Sequence, residues 1–329
     1  AYGIVQYLTG WQKIFTFNKI FYRETATGTF INHNHFAGFL ELTFPFVFGA
    51  VYYSFQIWQD MRRRGPARVD AATVSSAGVQ TLFFAFLLVV SIVAILFSRS
   101  RAGIVAAFFT VVFLGLLAQI KTKRKAWMLG FAAFVLVAIG YGLWIGVNPV
   151  VSRFEAFRGG VHYLQGEGRL SFWQSTLGMI HDYPVAGTGL GTFRFAFPHY
   201  QTYFLNNTVT HAHSDFLEFT SDTGLLGAAL LFLPIIALLV LMIRSFLTDA
   251  RRYRPSVTLG CIGATMALLI HSVADFNLHI PANALVFAVV LGVGYKIAWL
   301  ERGVERAAAA AAVSRPAVSG RVHRKSRVM

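Results

Sequence analysis

Seven stretches of this chain are apolar for long enough to cross a bilayer, and nothing else in the sequence constrains its fold as strongly. A helix needs about 20 mostly apolar residues to span a hydrocarbon core of about 30 Å. The stretches run from His35 to Trp58, Val79 to Phe97, Ala102 to Ile120, Ala126 to Val147, Gly224 to Phe246, Val257 to Ala274 and Pro281 to Trp299. None shows the strand-type alternation of a transmembrane barrel. The expected fold class is therefore an all-α polytopic membrane protein. Of 329 residues, 56% are hydrophobic and only 13% charged, which is far from the balance of a soluble domain. The single cysteine, Cys261, lies inside an apolar run, which excludes a disulfide framework and any cysteine-based zinc or iron–sulfur site. The chain opens on Ala1 without the basic, apolar and small-residue blocks of a signal peptide. Ala1 to Leu8 reads as the tail of a preceding segment, so an N-terminal truncation is expected.

A net charge of +15 would suggest a nucleic-acid partner in a soluble protein, but in a membrane protein the cations first report sidedness. Four fall in each of three connections: Arg62, Arg63, Arg64 and Arg68; Lys121, Lys123, Arg124 and Lys125; Arg244, Arg251, Arg252 and Arg254. The tail adds eight more between Lys296 and Arg327. These twenty place that side, and the C-terminus, in the cytoplasm by the positive-inside rule. The remaining nine, Lys13, Lys19, Arg23, Arg99, Arg101, Arg153, Arg158, Arg169 and Arg194, fall on the outer side. The expected organisation is an outer-face segment over 1–34, transmembrane helices one to four over 35–147 and a long periplasmic loop over 148–223. Helices five to seven follow over 224–300, then a basic cytoplasmic tail over 301–329 that reads as disordered. A connection as long as 148–223 is seldom idle in a compact bundle.

Nine of the ten histidines gather on the outer side, where imidazoles can serve as general bases or metal ligands. For any single one, hydrogen bonding to loop backbone is the blander role. In the turn Phe97-Ser-Arg-Ser-Arg-Ala-Gly103, Arg99 suits snorkelling toward headgroups. Arg101 instead opens a span, where free backbone N–H groups and the positive helix end repel a cation and attract an anion. An arginine there makes sense when a phosphate or diphosphate joins it. Arg169 opens a second helix in the outer loop, whose Leu170, Trp173, Leu177 and Ile180 form an amphipathic stripe suited to the bilayer or the bundle. Its alternative role is to pair with Glu167. Asp215 and Glu218 have capping-box spacing, so a short helix is expected just after His213. The glycines of Gly187-Thr-Gly-Leu-Gly191 read as a turn, since no strand precedes them and the phosphate-loop lysine is missing. His271 and Asp275, four apart at the end of the sixth span, should face the interior, either as a structural pair or as part of a site.

The ordered set of motifs resembles the O-antigen ligase and polymerase superfamily of bacterial membranes. It comprises Gly28-Thr-Phe-Ile-Asn-His-Asn-His-Phe-Ala-Gly38, the Ser-Arg-Ser-Arg-Ala-Gly turn, Gly168-Arg169 with Trp173, Asp182-Tyr-Pro-Val-Ala-Gly-Thr-Gly189, and His211-Ala-His-Ser-Asp-Phe-Leu-Glu218 followed by Gly224. Members are metal-independent GT-C type glycosyltransferases of the inner membrane, without a cofactor, which pass a glycan from undecaprenyl diphosphate to an acceptor hydroxyl at the periplasmic face. The resemblance implies a GT-C-like fold with Arg101 and Arg169 on the donor's diphosphate and His213 as catalytic base. Secondary candidates are His211, Arg99, His35, Asp275 and His271. The family has about a dozen spans, against seven here. The acceptor is a lipid A core sugar for a ligase, another lipid-linked glycan for a polymerase, or a protein hydroxyl for an O-oligosaccharyltransferase.

Two readings of a different class compete. A transporter or channel for an anionic polymer or lipid would line its path with arginines along the spans, where this sequence has no mid-span cations. A haem or metal protein would use His33-Asn-His35 with His211-Ala-His213, although His-x-His alone lacks the further spaced ligands of a specific metal site. With twenty cations devoted to orientation, a lipid diphosphate and the bilayer are the expected partners, and nucleic acid is not.

Overall fold

A computed structural model describes residues 1–64, 70–123, 169–202, 208–251 and 253–301. The fourth expected span, Ala126 to Val147, lies outside the described residues, as do Glu167, the first part of the long loop and the tail beyond 301.

The protein is an all-α polytopic membrane protein, and six of its described helices are long and apolar enough to cross a membrane. After a short helix α1 (Tyr2–Thr9) and a two-residue antiparallel ribbon, β1 (Lys13–Ile14) with β2 (Phe17–Asn18), come α2 (His33–Arg64), α3 (Ala71–Ser98) and α4 (Arg101–Thr122). The outer-loop helix α5 (Arg169–Asp182) follows, then α6 (Asp215–Thr248), α7 (Tyr253–His271) and α8 (Pro281–Tyr295), the last running into a wider helical turn over Lys296–Leu300. Several boundaries differ from the hydropathy reading: α2 runs on to Arg64, α6 begins at Asp215, and those of α3 and α7 shift as well. Helix α3 starts at Ala71 because Asp70 caps it, its carboxylate accepting from Thr73 N at 3.3 Å. Helix α7 stops at His271, and a tight connection carries the chain to Pro281.

Helix α7 is the centre of the bundle and packs most closely on α2. The small residues it shares with α2 explain why. A Cβ on Gly260 would meet Phe46, one on Gly263 would meet Pro45 and Leu114, and one on Gly49 would meet the backbone of Ser256. Without side chains at these points the two backbones approach closely, which replaces the hydrophobic drive that lipid does not supply. Leu42, Phe44, Phe48, Tyr52, Leu114, Leu259, Ile262 and Leu268 fill the core around that contact.

The up-and-down order brings the starts of α2, α4, α6 and α8 to one end, together with the ends of α3 and α7. His33 Nδ1 meets Ser98 O at 2.6 Å there, and Asn283 Nδ2 donates to His35 O at 3.0 Å. At the other end the Lys121 ammonium donates to Phe246 O and, at 2.6 Å, to Asp249 O, while Arg254 pairs with Glu301 at 2.7 Å.

Candidate functional site

The histidine end of the bundle is built on the start of α6. Ser214 is its N-cap, with Oγ accepting from Leu217 N at 3.5 Å. The capping-box reading of Asp215 and Glu218 is therefore corrected: the serine caps, and both carboxylates turn to histidines. Glu218 accepts from Ala212 N at 2.8 Å and lies 2.8 Å from His211 Nδ1 and 3.4 Å from His279 Nε2. Asp215, fully buried, accepts from Ser272 Oγ at 2.7 Å and Leu278 N at 3.0 Å, and lies 2.8 Å from His279 Nδ1. These bonds tie the start of α6 to the connection after α7. Burial would lower the His279 pKa, but its hydrogen bond with Asp215 and the nearby carboxylates raise it above the ordinary histidine value.

The short helix expected after His213 is present, and it ends where Gly224 breaks the helical path with φ 69° and ψ 179°. The glycine turn after Pro184 supports that break. Gly187, Gly189 and Gly191 all have positive φ, and their loop donates from Thr188 N to Ser221 O, Gly189 N to Asp222 O and Gly191 N to the Asp222 carboxylate. The turn thus satisfies the orphan carbonyls of a helix end rather than a phosphate.

His213 stands at the mouth of this assembly with φ 53°, a left-handed conformation that costs a histidine on the order of 1 kcal/mol or more and persists only where its surroundings impose it. Its ring lies between Phe172 of α5 and Phe276 of the α7–α8 connection, with one-third of the side chain exposed. Nδ1 faces Asp275 Oδ1 at 3.6 Å. Asp275 is fully buried, and although burial raises a carboxyl pKa, the imidazoles of His213, His271 and His35 bring it below the ordinary aspartate value. His271, also fully buried, faces Asp275 through Nε2 at 3.8 Å and Glu41 through Nδ1 at 3.0 Å. His211 stacks on Phe276 at 4.0 Å, and His35 meets the same ring edge-on at 4.9 Å. His213, His211, Asp275, His271 and His35 therefore form one cluster.

The two arginines lie where the helix starts put them. Arg101 is the first residue of α4, exposed, beside the N-cap Ser100 whose Oγ accepts from Gly103 N at 3.2 Å. Arg169 is the first residue of α5, also exposed, and donates through Nη1 to Ala274 O at 3.0 Å, next to Asp275. Its charge is felt by His33, which is bonded to Ser98 just before the Arg101 turn. Among the described contacts none joins Arg101 directly to His213. Arg99 faces elsewhere: it caps α3 with φ 55°, donates to Tyr7 Oη at 3.3 Å and lies 3.8 Å from Glu24, so it ties the N-terminal segment to the bundle.

Two alternatives left open by the sequence narrow. The buried face of α5 is Ser171, Ser175, Thr176 and Met179, while Leu170 and Leu177 of the apolar stripe are exposed. Trp173 is half-buried and donates from Nε1 to Ala212 O at 3.1 Å, linking α5 to the His211–His213 segment. The His-x-His pairs do not converge as a ligand set; among the described residues no group of three or more His, Cys, Asp and Glu side chains is placed to hold a metal ion. Motif reasoning missed Glu41, the lone acid in the apolar stretch from His35 to Trp58, although an intramembrane acid is itself a signal. It also missed Phe276, for which no local pattern existed.

Residues 86–232 match the family model described as O-antigen ligase. That segment contains Arg101, Arg169, His211, His213 and Gly224, whereas Glu41, His271, Asp275 and His279 lie outside it. No curated protein matches the chain.

Proposed function

We propose that the chain, whose residues 86–232 match the O-antigen ligase family model, is a member of the O-antigen ligase/polymerase superfamily and transfers a glycan from an undecaprenyl-diphosphate donor to an acceptor hydroxyl. The observation that carries this reading is His213: one-third exposed to solvent, held in a left-handed conformation at a helix start, with a buried carboxylate behind one ring nitrogen. Such a ring has Nε2 free to take a proton. Arg101 and Arg169 would neutralise the diphosphate as it leaves, each adding a guanidinium fork to a helix N-terminus. The hydroxyl oxygen then attacks the anomeric carbon from the face opposite the diphosphate, which inverts that centre and needs no divalent metal. The long loop, through α5 and Trp173, covers the histidines and would keep water from the activated sugar. In this reading the histidine end faces the periplasm across the inner membrane, and the C-terminus is cytoplasmic, which the cation distribution supports.

One observation favours a second assignment within the same reaction. His211 has the shorter carboxylate contact, 2.8 Å to Glu218 against 3.6 Å from His213 to Asp275, so it is the alternative base. Its face is stacked on Phe276, which leaves His213 the better placed of the two.

The deciding experiment incubates the protein with lipid-linked donor and, separately, lipid A core, a second lipid-linked glycan and a serine- or threonine-bearing protein. Mass spectrometry of the products is expected to show glycan on one acceptor class, which also separates ligase, polymerase and O-oligosaccharyltransferase. Binding or passage of donor with no product on any of them would favour a transporter instead.

A further inference from the structure

A row of ionisable side chains runs inward from His213 and ends inside the bundle. Asp275 lies between His213 Nδ1, 3.6 Å from its Oδ1, and His271 Nε2, 3.8 Å from its Oδ2. Beyond it His271 Nδ1 is 3.0 Å from each oxygen of Glu41. Asp275, His271 and Glu41 have no exposure to solvent. His213 Nδ1, both Asp275 oxygens and His271 Nε2 have no hydrogen-bond partner, so the unsatisfied atoms are the ones that face one another along the row. A buried carboxylate on a transmembrane helix is costly, and replacing such a pair with apolar side chains often stabilises a fold. Glu41 therefore calls for a reason other than packing.

We infer that Glu41 is a positioning residue for glycosyl transfer, acting through His271 and Asp275 on His213. This rests on the reading of His213 as the base. With one N–H toward Glu41 and the other toward Asp275, His271 as an imidazolium sits between two carboxylates, and the three groups together carry one negative charge. Adding a proton to His213 brings the row of four to neutrality. In the transfer step the acceptor hydroxyl proton passes to His213 Nε2 and the hydroxyl oxygen bonds to the anomeric carbon. The bond from that carbon to the diphosphate oxygen breaks, and its electron pair leaves with the diphosphate. The row thus becomes balanced as the imidazolium forms. Glutamine at position 41 removes one negative charge, so the new imidazolium is less well compensated.

Other ionisable groups surround the row: His35 lies near His213 and Asp275, His33 near Asp275 and His271, Arg169 on the Ala274 carbonyl beside Asp275, and His211, which shares the Phe276 ring with His213, contacts Glu218, which in turn lies beside His279. The test therefore compares variants with wild type instead of interpreting one profile. Full-length protein in nanodiscs is assayed with lipid-linked donor across pH 5 to 9, as wild type, Glu41→Gln, Glu41→Asp, His271→Gln and His213→Ala. Glu41→Gln is expected to lower kcat about tenfold at unchanged donor KM. It should also move the acidic limb of the rate profile to lower pH by about one unit, as for a charge about 10 Å away at an effective dielectric near 20. Glu41→Asp, which keeps the charge, should return the limb toward wild type, and His271→Gln, which removes the cation, should move it to higher pH. If Glu41→Gln does not accumulate, the direction of the His271→Gln shift decides alone. A limb that stays at the wild-type pH in both variants overturns the inference, whatever happens to protein level. Wild-type protein that transfers no glycan, or a fully active His213→Ala, overturns the underlying reading instead.

Discussion

Replacing Gly224 with alanine inserts one methyl group where two backbones touch. Gly224 has φ 69° and ψ 179°, a region that side chains enter only at a cost on the order of 1–3 kcal/mol. A Cβ there would fall inside van der Waals contact of the Val185 carbonyl and 2.5 Å from Ala186 N, and neither backbone group can rotate away. The turn must therefore separate from the end of the short helix, giving up Thr188 N to Ser221 O at 2.9 Å, Gly189 N to Asp222 O at 2.8 Å and Leu225 N to Pro184 O at 2.8 Å. At about 1 kcal/mol each, plus the residual backbone strain, the loss comes to about 4 kcal/mol. For a protein of this size that corresponds to a fall in Tm of about 6 °C. Thermal unfolding of the detergent-solubilised full chain measures it, and limited proteolysis between Tyr183 and Ala196 locates it. The matched control is Gly292→Ala in α8, where a Cβ meets nothing within 4 Å and alanine gains helix propensity, so Tm should stay or rise. Gly224→Ala with the wild-type Tm and cleavage pattern would refute the argument that the turn locks this helix end.

Three further outcomes follow from the same contacts. Asp215→Ala leaves the Leu278 N–H, the Ser272 hydroxyl and His279 without their buried acceptor, and should cost about 3 kcal/mol, read as lost thermal stability. His279 has a raised pKa in the fold, so its contribution is complete below about pH 6.5, the unfolded value, and is lost as pH rises through the folded value; Tm should fall over that window in wild type and lose that slope in His279→Gln. Glycan transfer should survive EDTA if, as proposed, the arginines take the place of a divalent cation; loss of activity restored by one added metal would count against that role.

The six described spans were legible because a bilayer demands long apolar runs, and the placement of Arg101 and Arg169 at helix starts stood out because cations there break a rule of helix electrostatics. Ser100 and Ser214 marked those starts locally. The partners of the histidines were not legible, since Glu41 reaches His271 across 230 positions and Asp215 reaches His279 across 64, and no spacing rule extends so far. Which way the apolar stripe of α5 points was left open by the sequence for a physical reason. Hydrophobic periodicity marks the inner face when water surrounds a helix, whereas on a bundle set in lipid an apolar stripe can point outward and small Ser171, Ser175 and Thr176 make the close contact. Gly224 carried weight as a motif residue, but only the positive φ and the Val185 backbone explain it.

The central claim is that Arg101, Arg169 and His213 act on one lipid-linked donor. Its most direct test measures glycan transfer by Arg101→Ala, Arg169→Ala and His213→Ala in membranes with matched protein levels, beside His211→Ala. The account predicts that each of the first three abolishes product while the protein stays in the membrane. Wild-type transfer by the His213 variant, or by both arginine variants, would contradict it.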